Sequence, residues 1–312
     1  VLTESIKALL RAPWYVALRG FAECLARIPC PSDHIQVSRP GFVVGCGRSG
    51  TTVLGQVMGG HPQVLYLREP YHLWAAVDRR TDVADLHHVT DGCFFMDGVH
   101  CTPGAQVRFN RLVHRACRRA RLVEKTPHNV ARIGLLERLT VEPRYVHVVR
   151  NGVDVAHSID RIARANAYRI AGKGRHNQWW GRDDCKWRAL AREGAARGYY
   201  ADEVPRLKGH LQRGAYEWLV SLGEADRWRV PLGDRLCELT YSQLTLEPGA
   251  TLHRLCRSLG LDCPERWLRW AITEVRSERR YHWRWLELPP RMAARFNAYQ
   301  ERYGFEGRAI RA

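Results

Sequence analysis

The stretch Phe42-Val43-Val44-Gly45-Cys46-Gly47-Arg48-Ser49-Gly50-Thr51-Thr52-Val53-Leu54 constrains the fold of this chain more than any other. A short apolar run, a glycine-rich turn and an apolar helical pattern reaching Met58 read as strand, loop, helix. Backbone N–H groups in such a turn, together with the helix N-terminus, make a nest for phosphate oxygens. Glycine lets the backbone approach a ligand closely, and Thr51 and Thr52 add hydroxyl donors. A Walker loop would carry lysine directly after Gly50. Thr51 stands there instead, so the lysine of an NTPase is missing.

The alternation continues along the chain. After His61-Pro62, residues 64–67 read as a second strand. A helix carrying Phe109, Leu112, Val113 and Ala116 leads into a strand at 121–124. A helix over 130–140 leads into the strongest strand, 144–149, and a further helix runs from 153 to about 165. A long helix over 205–228 precedes a strand at 235–240, and helices follow at 249–259, 264–275 and 290–303. Strands alternating with helices predict an α/β fold with a central parallel sheet flanked by helices. Residues 75–105 lack periodicity and read as a long surface segment. Residues 166–185 read as a loop over the carboxyl edge of the sheet, where ligands bind in open α/β folds. With no internal repeat or low-complexity linker, one domain is expected over 41–312. It is preceded over 1–40 by basic amphipathic helices interrupted at Pro13 and a turn-rich linker.

Charge narrows the partner classes. Forty-nine basic residues against thirty-two acidic ones give +17, of which only Lys7, Lys125, Lys173, Lys186 and Lys208 are lysine. The excess fits polyanions or phosphorylated small molecules. The arginines are spread along the chain and no nucleic-acid motif occurs, so a nucleic-acid partner is not expected. No run of eighteen apolar residues offers a membrane span. Arg11, Arg19 and Arg27 break the apolar centre that a signal peptide needs. This segment has two readings: a helix packed on the domain edge, and a peripheral membrane contact through Trp14 and Tyr15. Ten cysteines contain no C-x-x-C, and H-E-x-x-H is absent, so no metal site is expected. Scattered thiols fit a reducing compartment, and the expected location is cytoplasmic, with a secreted protein carrying a few bridges as the alternative.

A second constellation lies about a hundred residues beyond the loop, in Val149-Arg150-Asn151-Gly152-Val153-Asp154-Val155-Ala156-His157-Ser158. Arg150 leaves the carboxyl end of a strand, and Ser158 lies about two turns into the following helix. A fork-shaped guanidinium and a hydroxyl suit one phosphate group. Together, G-x-x-R-S-G-T-T-x-L and R-N-G-x-D-V-x-x-S resemble the sulfotransferases that use 3′-phosphoadenosine 5′-phosphosulfate (PAPS). The resemblance runs from about residue 42 to 260. It implies that Gly47, Arg48, Ser49, Gly50, Thr51 and Thr52 hold the 5′-phosphosulfate, and that Arg150 and Ser158 hold the 3′-phosphate. The R-S-G-T-T loop followed by His-Pro is most similar to the tyrosylprotein-sulfotransferase branch and its bacterial relatives. There the glutamate after the next strand is the base, which implies Glu69. The lysine before the second motif, matched by Lys125, steadies the transferring group. The cytosolic branch has its histidine base two residues after that lysine. Here Pro127 occupies that place and His128 follows one residue late, which makes His128 the alternative base. Tyr241 resembles a family tyrosine near the nucleotide. The basic C-terminal loop of the cytosolic enzymes is missing, and Arg279 and Arg280 are the candidates to replace it.

The resemblance thus implies sulfuryl transfer from PAPS to a hydroxyl of a small-molecule, lipid or sugar acceptor, with release of adenosine 3′,5′-bisphosphate and no metal. The residue types suit that chemistry. Arg48 and Lys125 can stabilise charge on the leaving oxygen, and a carboxylate can take the acceptor's proton. Transfer to peptide tyrosine is the alternative. A kinase and a nucleic-acid-binding protein are the remaining readings, the first opposed by the missing loop lysine.

Overall fold

Five parallel strands build the central sheet: β1 (Gly41–Gly45), β2 (Val64–Arg68), β3 (Arg121–Lys125), β4 (Arg144–Val149) and β5 (Leu236–Thr240). The computed structural model describes residues 4–87, 92–117, 120–165, 176–275 and 285–311. Strand order is β2-β3-β1-β4-β5. The chain leaves β1 toward one edge, forms β2 and β3 there, then crosses to the other side of β1 with β4. Reversal of that kind opens a crevice beyond the carboxyl ends of the strands.

The hydrophobic sequence of β1 follows from its place in the middle. All five of its residues are buried, and alternate side chains serve opposite cores. Phe42 and Val44 pack with Tyr145, Leu122 and Trp74, whereas Val43 packs with Val146, Leu54 and Leu255. Helices cover both faces. Registers set Val43 opposite both Lys125 and Val146, and Arg68 opposite Lys125. The carboxyl ends of β2, β3 and β1 therefore converge.

The structure differs from the sequence reading in several places. The N-terminal segment is one helix, Glu4–Arg27, that continues through Pro13. Proline removes a single main-chain donor, and the helical pattern resumes beyond it. The second half of the helix is anchored by Ala22 and Ala26 in the core beneath it. It packs on the domain edge, and Trp14 and Phe21 are exposed along it, as is Ile28 just beyond its end. The described residues of 75–105 are not a surface segment: Val77, Val83, Phe94, Phe95 and Met96 are buried. An irregular buried segment must satisfy its backbone polar groups without a ladder. Here charged side chains do so. The Asp82 carboxylate accepts from the N–H groups of Leu86 and His87 at 2.9 and 2.6 Å. Glu193 accepts from those of Phe94 and Phe95 at 2.9 and 3.0 Å. Arg132 donates to the carbonyls of Thr81, Cys93 and Phe94. Glu193 and Arg132 come from distant segments, so no local pattern announces this burial.

Smaller shifts occur at element ends. The long helix begins at Gly209 and runs to Leu232, and a 3₁₀ turn, Pro127–Arg132, precedes the helix Ile133–Leu139. Helices Tyr71–Val77 and Cys185–Ala196 were not anticipated from periodicity.

Candidate active site

The loop after β1 turns sharply. Gly45 and Gly50 take φ values of 142° and 94°, and Arg48, which is not glycine, takes 72°. A left-handed non-glycine residue stores strain of about 1–3 kcal/mol and persists where its surroundings enforce it. Gly50 caps the helix Thr51–Gly59 in the left-handed conformation. The hydroxyl of Ser49 is buried and finds no protein partner, although a buried hydroxyl normally has one. A phosphate or sulfate oxygen in the loop would supply it.

The second motif meets this loop. Ser158, in the helix Gly152–Ala165, is buried, and its Oγ accepts a hydrogen bond from Arg48 Nε at 3.1 Å. Arg150 donates to the Arg48 carbonyl at 3.4 Å and pairs with Asp154 at 3.5 Å. Its guanidinium lies 5.1 Å from the centre of the Tyr241 ring. That ring covers Gly50, where a Cβ would lie 2.1 Å from Tyr241 Cδ2. Arg48, Gly50, Arg150, Ser158 and Tyr241 therefore form one group.

The candidate base and the lysine form another. Glu69 follows β2 with φ of 44°, and its N–H donates to the carbonyl of Lys125 at 2.8 Å. The Lys125 side chain is fully buried, is ion-paired with Glu69 Oε1, and reaches Thr52 Oγ1 at 3.3 Å. The base candidate is thus linked through one ammonium to the phosphate loop. His128 lies in the 3₁₀ turn after β3, with its ring parallel to that of Tyr71 at 5.8 Å. Its Nε2 is buried with no hydrogen-bond partner. Burial, reinforced by the positive charges of Arg132 and Lys186, holds its basicity well below the ordinary histidine value.

A cavity of about 810 Å³ opens beside these groups, lined by Gly47, Arg48, Thr51, Thr52, Glu69 and His128 among others. That volume suits a small-molecule site. Arg150, Ser158 and Tyr241 are not among its lining residues. Arg279 and Arg280 lie outside the described residues.

Two groups escaped the reading of the sequence. Trp179, Lys186 and Glu217 line the same cavity; Trp179 lies in the segment 166–185 expected over the carboxyl edge, whereas Lys186 stood out as one of five lysines and Glu217 carried no signal. Glu124, beside Lys125, is buried and accepts from Trp74 Nε1 at 3.1 Å, from Asn129 Nδ2 at 3.2 Å and from the Thr126 hydroxyl. Burial outweighs these donors and raises its pKa to about 7. Its signal was a carboxylate inside an apolar strand.

Comparison with known proteins agrees with this architecture. The structure is similar to the sulfotransferase STF9 of Mycobacterium avium, with TM-score 0.53 and 13% identity, covering 90% of this chain and 81% of that one. It is also similar to the sulfotransferase domain of the Synechococcus PCC 7002 olefin synthase, with TM-score 0.52 and 20% identity, covering 87% and 96%. The sulfotransferase domain from the curacin biosynthetic pathway gives TM-score 0.51 at 14% identity, covering 87% and 99%. An uncharacterized protein of Aquifex aeolicus (strain VF5) is 29% identical over 127 residues, which is 38% of this chain and 16% of that protein. The chain therefore spans about a sixth of the length of that curated relative. The family model described as "Sulfotransferase family" matches residues 40–265, and the chain belongs to the sulfotransferase family.

Proposed function

We propose that this chain transfers a sulfuryl group from PAPS to a hydroxyl of a small-molecule, lipid or sugar acceptor and releases adenosine 3′,5′-bisphosphate (PAP). The observation that carries the proposal is the bond from Arg48 to Ser158, which joins two motifs 110 residues apart into one anion-binding group. In this reading Gly47, Ser49, Gly50, Thr51 and Thr52 hold the phosphosulfate, and Arg150 and Ser158 hold the 3′-phosphate. Tyr241 backs the loop. PAPS supplies an activated sulfuryl group on a phosphate leaving group.

Glu69 takes the acceptor's proton. Its carboxylate lines the cavity and is held there by Lys125, which places an oxygen where an acceptor hydroxyl would lose its proton. Lys125, placed between Glu69 and Thr52, and Arg48 face the charge that builds on the leaving oxygen. His128 is the weaker candidate, because its depressed pKa makes it a poor proton acceptor. Glu69 also favours the second reading, a tyrosylprotein-type enzyme acting on peptide tyrosine. The catalytic domain is residues 41–312, and residues 1–40 are an appendage packed on its edge through Ala22, Ala26 and Val37. Trp14, exposed on that appendage, is the side chain offered to a membrane surface. The location proposed for the chain is cytoplasmic.

Calorimetry with PAP tests the donor assignment. Ser158→Ala removes one hydrogen bond to the charged group, worth roughly 1.5–3 kcal/mol, so PAP affinity should fall about tenfold or more. Equal affinity in variant and parent would remove the basis of the proposal. Sulfate gain on small alcohols and on tyrosine peptides, followed by mass spectrometry, separates the two acceptor readings.

A further inference from the structure

The phosphate loop touches an aromatic ring on each flank. Tyr241 lies against Gly50. On the cavity side, a Cβ at Gly47 would lie 2.5 Å from Trp179 Cη2 and 2.9 Å from Cζ2. The indole therefore rests on the Gly47 backbone, and no side chain larger than hydrogen fits while it does. Its position is held from two further directions. Trp179 Nε1 donates to Glu217 Oε2 at 2.8 Å. Lys186 Nζ donates to the other oxygen of the same carboxylate at 2.8 Å and lies 4.4 Å from the centre of a Trp179 ring. Glu217 and Lys186 are buried, so the ion pair and the cation–π contact are largely desolvated and strong.

The three residues reach the loop from separate elements. Trp179 lies between the short strands His176–Asn177 and Gly181–Arg182; Lys186 lies on the helix Cys185–Ala196, and Glu217 on the helix Gly209–Leu232. All three line the cavity that also contains Arg48 and Glu69. The positive charge of Lys186 bears on His128 across that cavity and on Cys46 within the loop.

We propose that Trp179, Lys186 and Glu217 are a positioning unit for the transfer reaction: Trp179 braces Gly47 and so fixes the backbone carrying Arg48, while Lys186 and Glu217 lock the indole in place. The proposal rests on the donor reading above. It assigns the glycine at position 47 to the indole as well as to the ligand.

A size-exchange experiment tests it, with PAP affinity by calorimetry and melting temperature as readouts, so no acceptor is needed. Gly47→Ala should weaken PAP by about tenfold or more, because overpacking displaces the loop. Adding Trp179→Ala should return affinity to within about threefold of Trp179→Ala alone, since the clashing ring is gone. Lys186→Met should weaken PAP by about fivefold and Lys186→Arg should preserve it, because the cation on the ring is kept. Should Gly47→Ala fail to fold, the two Lys186 variants decide. Additive losses in the Gly47/Trp179 pair, or equal losses in Lys186→Met and Lys186→Arg, overturn the proposal. A parent that binds no PAP overturns the donor reading and this proposal together, and that outcome is distinct from lost coupling in a parent that binds.

Discussion

The two flanks of the phosphate loop are built alike and assembled differently. On one side Gly50 meets Tyr241, whose ring faces Arg150, which pairs with Asp154. On the other, Gly47 meets Trp179, whose ring faces Lys186, which pairs with Glu217. Each is a glycine, a ring, a cation and a carboxylate. The first set sits at the ends of β1, β4 and β5, which are neighbours in the sheet. The second set comes from a short irregular segment and two helices. Neighbouring parallel strands bring their carboxyl ends together by their pairing alone. Helices and loops meet only where packing allows.

The difference should show as a division of labour, and the largest expected effect lies on the cavity side. A positioned base contributes roughly 10²–10⁴-fold, so Glu69→Gln should lower turnover by about that factor. PAP affinity measured by calorimetry should stay near the parent's. If His128→Ala instead loses the rate and Glu69→Gln keeps it, the base is the histidine and the cavity must be read again.

Arg150→Ala should act on the other flank. Loss of charge-assisted hydrogen bonds of roughly 1.5–3 kcal/mol each should weaken PAP binding by about tenfold to a hundredfold. Once PAPS is saturating, turnover should recover most of the way, because Arg150 does not line the cavity. A variant that binds PAP normally but turns over slowly would exchange the roles of the two flanks.

The smallest effect is one of pH, and it lies beneath both. The pKa of Glu124 is raised by burial to about 7, above its ordinary value of 4.5. The folded state therefore holds a proton that the unfolded state has lost between these pH values. Stability from this group is present below about pH 4.5 and is lost as pH rises to about 7. Glu124→Gln keeps the shape and removes the titration, so the melting temperature should depend less on pH across that window. An unchanged slope would mean that the carboxylate is ionised in the fold.

The legible part of the fold was the part with a period. β1, β3, β4 and the helices after them were readable because burial on both faces of a parallel sheet requires unbroken apolar runs. The burial of the segment around Phe94 and Phe95 leaves no local pattern, because its backbone partners are Glu193 and Arg132, far away in sequence. Pro13 does not interrupt the first helix, because one missing hydrogen bond does not end a helix that packs further along.

The sequence by itself determined the strand-loop-helix around residues 42–58, the parallel sheet, and the candidates Arg48, Glu69, Lys125, Arg150 and Ser158. The first two follow from local composition and apolar periodicity; the candidates are what the resemblance of the two motifs to the sulfotransferases implies. Only the tertiary structure decided that Lys125 joins Glu69 to Thr52, that Arg48 bonds to Ser158, and that Trp179, Lys186 and Glu217 close the cavity. Those contacts join residues far apart in sequence. Their distances are set by how helices and irregular segments pack on the sheet, a property that no local pattern encodes.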